Sequence, residues 1–244
     1  MRFHGVEIED REEIGGYTLL RYSWESAIEP GQFAMARVAG YPVTFDPFLA
    51  RPFSYYDHDS ETASLLFEVR GRGTALLDDA RDRIEVSAPL GRGFRIDESR
   101  GPAALLGGGI GVAPLKILSR RLNALGVCHD VFLGFADTRY AAVAEDFPGA
   151  SVATVDGSAG IHGTVLDAVP DLERYEAVYA CGPNPMLAAV KRAVGDRVIC
   201  QLSVEERMGC GNGSCNGCVV PVRDGGYVRS CVEGPVFDAE MLAW

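Results

Sequence analysis

This sequence predicts a multidomain chain with β and α/β parts. An N-terminal Greek-key antiparallel β-barrel is expected over 1–98, a doubly wound five-stranded parallel α/β domain over 99–200, and a small cysteine-rich module over 201–244. Three observations predict this. As far as Ile96 the chain is a series of short apolar stretches broken by Gly, Pro and Asp, without a long helical repeat. From Ala103 a short apolar run enters a glycine loop, and leucines at helical spacing follow. Near the C-terminus, four of the seven cysteines fall between Cys210 and Cys231.

At 244 residues the chain has room for two compact domains and an appendage, and 47% apolar with 23% charged residues is ordinary globular composition. A net charge of −11 disfavours nucleic acid or an anionic membrane as partner. The start, MRFHGVEIEDREEIGG, is acidic and lacks the apolar core of a signal peptide, and no apolar run is long enough for a bilayer. With an odd number of cysteines, three of them (Cys128, Cys181, Cys200) outside the cluster, the expected setting is reducing and cytoplasmic.

In the first third, strands are expected at Tyr17–Trp24, Phe33–Val38, Phe53–Tyr56, Ser64–Val69 and Arg83–Ala88. A single helix is expected from Gly73 to Ala80, with Thr74 as its cap. Arg51-Pro52-Phe53-Ser54 places a cation, a rigid turn, a ring and a hydroxyl within four residues. Gly71-Arg72-Gly73-Thr74 opens the helix, whose first amides would suit a phosphate. Taken singly, each run also reads as a surface tetrapeptide or a capped turn.

In the middle third, the strand Ala103–Leu106 leads into Gly107-Gly108-Gly109-Ile110-Gly111, and Leu115, Leu118, Leu122 and Leu125 continue as a helix with Pro114 in its first turn. Strand, glycine loop and helix in that order suit a dinucleotide: Gly108, Gly109 and Gly111 would let the backbone approach a diphosphate. Further parallel strands are expected at Val127–Gly134, Ser151–Val155, Ala177–Cys181 and Val198–Leu202. After the second strand, Asp137 would hydrogen-bond a free ribose 2′-hydroxyl, whereas Arg139 would attract a 2′-phosphate; the reading favours NAD. Cys181, ahead of Gly182 and Pro183, can also be a small buried residue at a strand end. His162, in the loop Asp156–Gly163, is given no catalytic duty.

The tail carries Cys210-Gly-Asn-Gly-Ser-Cys215-Asn-Gly-Cys218, a C-x4-C-x2-C spacing, and then Cys231 on an expected returning strand, Tyr227–Cys231. That start is the plant-type [2Fe–2S] pattern, with a shorter interval to the last ligand. An anionic cluster needs inward N–H donors, and Gly209, Gly211, Gly213 and Gly217 permit the turns that aim them. Structural zinc is the competing reading, although zinc ribbons prefer two separated C-x2-C knuckles. A disulfide cluster would need an oxidising compartment.

In this order RPFS, GRGT, PLGRGF, GGGIGVAP, DGSAGIHG and CGPNPM resemble the ferredoxin–NADP reductase superfamily. With the C-terminal E-x2-M-x-C-G-x-G-x-C-x-G-C, nearly the whole chain resembles the electron-transfer subunits of NAD-dependent dihydroorotate dehydrogenases. The resemblance implies FAD held by Arg51 at its pyrophosphate with Gly73 and Thr74, Ser54 at the reactive edge, and Pro52, Phe53, Leu66, Phe67 and Glu68 along the flavin. Relatives usually carry a basic residue where Glu68 stands. It implies NAD at Gly108, Gly109, Gly111, Asp137, Cys181, Gly182 and Pro183, with Cys181 near the nicotinamide–flavin contact, and a [2Fe–2S] cluster on Cys210, Cys215, Cys218 and Cys231. It further implies an FMN-containing catalytic partner that oxidises dihydroorotate, in a heterotetramer of two copies of each subunit. The chain would then be a relay without a catalytic acid or base. Flavin and iron–sulfur subunits of NAD(P)H–ferredoxin oxidoreductases and of sulfur-reducing hydrogenases are the alternative. A redox-inert zinc-binding module is the alternative from another class.

Overall fold

The computed structural model describes residues 1–40, 46–96, 101–196 and 198–244. Six strands close the N-terminal barrel: β1 (Phe3–Ile14), β2 (Tyr17–Ser23), β3 (Phe33–Val38), β4 (Arg51–His58), β5 (Thr62–Phe67) and β6 (Arg83–Ser87), in the order β1-β2-β5-β4-β3-β6. Every pairing is antiparallel, and Leu20, Tyr22, Phe53, Leu65, Ile84 and Val86 fill the interior. Five strands lie where the sequence places them. β1 is additional: its sequence, FHGVEIEDREEI, buries only Val6, so its charged outer face hides the alternation.

The helix α1 (Arg72–Asp79), the one α-helix of the barrel among the described residues, corrects an expectation about its cap. The N-cap is Gly71, and Thr74 sits three residues in, its hydroxyl accepting from the Gly71 and Arg70 amides at 3.1 and 3.0 Å. The threonine satisfies N–H groups ahead of the helix, as the third residue of a capping box does.

The second part contains β7 (Ala103–Gly108), α2 (Ala113–Ala124), β8 (His129–Phe135), α3 (Thr138–Ala141), β9 (Ser151–Thr154), β10 (Ile161–His162), β11 (Ala177–Gly182), α4 (Asn184–Val194) and β12 (Ile199–Val204). The tail adds β13 (Val219–Pro221), β14 (Tyr227–Arg229) and β15 (Val236–Asp238). The sheet runs β10-β9-β8-β7-β11-β12-β15. Its five expected parallel strands are present, with the two-residue β10 on one edge and β15, antiparallel to β12, on the other. The boundary expected between 200 and 201 falls inside β12.

Apolar periodicity puts a helix on each face of the sheet. Leu115, Leu118 and Leu122 of α2 pack on one side, and Leu187, Val190 and Val194 of α4 on the other. The barrel docks on the α2 side, where Tyr17, Leu19, Tyr56 and Leu66 join the cluster that contains Leu105 and Leu115. From β7 the chain proceeds to β8 and β9 in one direction, then returns through β11 and β12 on the other side. The carboxyl ends of β7 and β11 therefore flank a topological switch point, where open α/β sheets bind ligands.

Among the described residues no helix is long and apolar enough to cross a membrane.

Candidate functional site

A cavity of about 270 Å³ opens between the barrel and the sheet. Its barrel wall is Arg51, Pro52, Phe53 and Ser54 from β4, with Leu66 and Phe67 from β5, Glu68 just after it and Thr74 from the first turn of α1. Gly73 lies directly under Arg51: a Cβ there would sit 2.8 Å from the guanidinium Nε, so glycine admits the cation over the helix N-terminus. Arg51 is steadied by donating to the Leu49 carbonyl. A cation over free helix amides is a phosphate cradle, and the apolar wall beside it suits a flat aromatic ring system. The donor set fits FAD.

Three charged residues in this cavity escaped the sequence reading. Arg70 pairs with Glu68 at 2.7 Å, so a cation stands two positions beyond the residue that departs from the family pattern. Tyr140, at the end of the short helix α3, also donates to Glu68, at 3.1 Å. Glu205 and Glu206, just past β12, line the opposite wall with Met208. Glu205 is accessible from the open side yet crowded by protein. That crowding raises its carboxyl above the ordinary range, while Arg70 pulls it back. The signals available in sequence were the Glu68-x-Arg70 spacing and the position of Glu205 at the start of the cysteine motif.

The residues expected to hold a dinucleotide gather at the switch point, behind the cavity. Gly108 and Gly182 meet there: a Cβ on Gly182 would lie 3.2 Å from the Gly108 Cα, and one on Gly108 would lie 3.2 Å from the Pro183 ring. Gly111 is a packing glycine, because its Cβ would stand 2.3 Å from the Cys181 carbonyl oxygen. Gly109, with φ +55°, faces open space and leaves the backbone free to approach a ligand. Cys181 is buried at the end of β11. Burial, followed by the Glu205 carboxylate, raises its thiol, so it stays protonated. Asp137 stands apart from this group and is the N-cap of α3, its Oδ1 accepting from the Arg139 and Tyr140 amides at 2.9 and 3.3 Å. His162 is exposed.

The motif cysteines lie against the barrel strand β3. Cys218 and Cys231 are buried against Phe33, Met35 and Ala50, whereas Cys215 is exposed. The amides of Cys215 and Gly217 donate to the sulfurs of Cys210 and Cys215, each at 3.4 Å. Burial alone would raise the Cys210 thiol, but donation from Asn212, Cys215 and Ser214 outweighs it and lowers the thiol below its usual range. Among the described residues no three His, Cys, Asp or Glu side chains group as ligands of one ion. Cys215 interacts with Cys210, and Cys218 with Cys231, which also feels the Cys210 sulfur. Two irons that share bridging sulfides take four thiolates and inward amide donors, so this donor set fits a [2Fe–2S] cluster. Phe33 and Met208 belong both to the cavity lining and to the cysteine surroundings, so one thin wall separates the two sites.

Comparison with known proteins adds three findings. Residues 205–243 match the family model for the iron–sulfur cluster binding domain of dihydroorotate dehydrogenase B. The chain is 41% identical over 227 residues to the electron transfer subunit of dihydroorotate dehydrogenase B (NAD(+)) from Geobacillus thermodenitrificans, covering 86% of this chain and 85% of that protein. It is 40% identical to the subunit of the same name from Bacillus velezensis, covering 88% and 87%. Among solved structures, it resembles an NADH-dependent reduced ferredoxin–NADP oxidoreductase studied for flavin-based electron bifurcation (TM-score 0.85, 26% identity, 98% and 90% covered). Phthalate dioxygenase reductase shares the fold (TM-score 0.64, 16% identity, 94% of each chain).

Proposed function

The chain belongs to the family of electron-transfer subunits of dihydroorotate dehydrogenase B (NAD(+)), and on that premise we propose which of its residues do the work. It is an oxidoreductase subunit that carries electrons between a catalytic partner subunit and NAD through a [2Fe–2S] cluster and FAD. When bound, the cluster passes electrons singly, FAD bridges one- and two-electron chemistry, and NAD takes electrons in pairs.

Arg51 and the first amides of α1, with Gly73 and Thr74, hold the FAD pyrophosphate, and Ser54 lies along the flavin edge. Pro52, Phe53, Leu66 and Phe67 exclude water from its face. Arg70, paired with Glu68, supplies the positive charge that relatives place at position 68. Gly108 and Gly109 admit the NAD diphosphate, Gly111 and Cys181 hold that loop against β11, and Gly182 and Pro183 shape the turn beside it. Asp137 orders the start of α3 beside the adenosine ribose and excludes a 2′-phosphate. Cys210, Cys215, Cys218 and Cys231 ligate the cluster. The partner is an FMN-containing subunit that oxidises dihydroorotate, in a two-plus-two assembly, and it approaches on the exposed Cys215 side. Thiols that must stay reduced suit the cytoplasm.

The observation that carries this reading is the shared wall of Phe33 and Met208 between cavity and cysteines. The test is anaerobic: purify the chain with its partner, record the visible spectrum, then add dihydroorotate and NADH separately. Flavin and iron–sulfur absorbance bleached by either reductant is the expected result. The likeness to the ferredoxin-linked reductase supports a second reading, with ferredoxin as partner. Bleaching by NADH alone, with an intact FMN partner present, would replace the first reading with the second. A colourless protein would overturn both.

A further inference from the structure

Arg229 and Glu233 lie on either side of the last cysteine, and no role has yet been assigned to them. Arg229 ends β14 and Glu233 sits in the following turn. The Glu233 carboxylate accepts from the Arg229 backbone amide at 2.7 Å, from Nε at 3.1 Å and from Nη2 at 2.5 Å. The remaining fork nitrogen, Nη1, donates to the Gly213 carbonyl at 3.2 Å, reaching into the middle of the cysteine loop. Gly213 lies between Cys210 and Cys215, so this bond ties the C-x4-C turn to the strand that leads into Cys231. Gly213 adopts φ +82°, and a Cβ there would lie 3.1 Å from Nη1 and 2.8 Å from Val232 Cγ2. Only glycine lets the loop come this close to the guanidinium.

The arrangement is also electrically lopsided. Nε and Nη2 of Arg229 face Glu233, whereas Nη1 faces the cysteine loop at Gly213, and Arg229 stands in register with Val219, the neighbour of Cys218. One edge of the cation is therefore turned to the cysteine loop and the other to its counter-charge. A positive charge and an N–H donor near an iron–sulfur cluster both favour its more negative, reduced form.

We propose that Arg229 and Glu233 form a clamp that fixes the Gly213 turn of the cysteine loop and holds a positive charge beside the Cys218–Cys231 half of the cluster, raising its reduction potential. The proposal rests on the [2Fe–2S] reading above. Arg229 is a positioning residue, since it touches the loop rather than the metal. The fork geometry does the positioning, and the charge sets the potential; lysine can replace only the charge.

The experiment is an EPR-monitored potentiometric titration of the full chain, with iron and sulfide content measured on the same samples. Four proteins are compared: wild type, Arg229→Gln, Arg229→Lys and Glu233→Gln. Arg229→Gln is expected to shift the midpoint potential down and Glu233→Gln to shift it up. Arg229→Lys is expected to keep a potential closer to wild type than Arg229→Gln does, while losing iron for want of the second donor. Unchanged midpoints in both Gln variants would overturn the clamp. If Arg229→Gln retains no cluster, Glu233→Gln decides alone, and an unshifted potential there overturns it. A wild-type chain without a [2Fe–2S] signal would remove the cluster reading, and the clamp with it.

Discussion

The Tyr140 hydroxyl donates to the Glu68 carboxylate across the seam between the α/β sheet and the barrel, at 3.1 Å. The same carboxylate takes Arg70 from its own side of the seam, and the Tyr140 ring lies 5.3 Å from that of Tyr17 on β2. Glu68 thus joins the cavity wall to the helix that Asp137 caps. A double-mutant cycle with Tyr140→Phe and Glu68→Ala should give non-additive losses in thermal stability, because each substitution removes the same hydrogen bond. Purely additive losses would mean that the seam is held by the rings and apolar contacts alone.

Replacing Arg51 with Gln should weaken FAD retention roughly ten- to hundredfold, as loss of a charge-assisted contact to phosphate does. Gly73→Ala should act in the same direction, because its methyl group would displace the Arg51 side chain rather than any backbone. Flavin content after gel filtration reads both. Undiminished flavin in Arg51→Gln would remove the pyrophosphate assignment.

Two glycines of one loop should respond differently. Gly111→Ala forces a methyl group into the Cys181 carbonyl and should destabilise the fold by on the order of 1–3 kcal/mol. Gly109→Ala meets no neighbour, so its fold cost is limited to left-handed strain of about 1 kcal/mol, while NADH affinity falls. Thermal unfolding and NADH titration separate the two outcomes. Equal unfolding costs would contradict the distinction between packing and approach.

Cys215→Ser should abolish electron delivery from the partner while NADH still reduces bound FAD. Stopped-flow reduction by NADH, set beside dihydroorotate-driven turnover, measures the two halves. Loss of both in a folded variant would reverse the proposed order of carriers.

Asp78 accepts from Arg11 at 2.5 Å and Thr18 at 2.6 Å, tying α1 to the first two strands. Burial alone would raise its carboxyl, but the Thr18 and Arg11 donors prevail and hold it below the usual range. A depressed folded value means that this stabilisation is present above the unfolded carboxylate pKa of about 3.9 and is lost as pH falls through the folded value. The Tm gap between wild type and Asp78→Asn should therefore be full near neutrality and close progressively below about pH 4. A gap that persists unchanged in acid would disprove the ionic character of the tie.

The barrel, the parallel sheet and the cysteine module were legible because each rests on a local pattern. The elements that were missed lack one. β1 buries a single residue of twelve, and β10 and β15 are two and three residues long, too short for any period. Thr74 was misread as a cap because a hydroxyl suits both positions: at the third it accepts from the amides ahead of the helix, at the cap from those inside it. Arg70 and Glu205 were missed because they meet only when β12 brings the tail against the barrel, a contact between residues far apart in sequence.

The pairing of β15 on β12 has a consequence for how the relay operates. Leu202 and Phe237 stand in register, and in the turn before β15 the Gly234 carbonyl accepts from the Arg92 amide, just past the last barrel strand. The iron–sulfur segment is therefore woven into the frame that holds the other two sites, rather than tethered beside them. The gap an electron must cross is then a constant of the folded chain, independent of concentration, viscosity or the collision of a mobile carrier. Only the step to the partner remains an encounter between molecules.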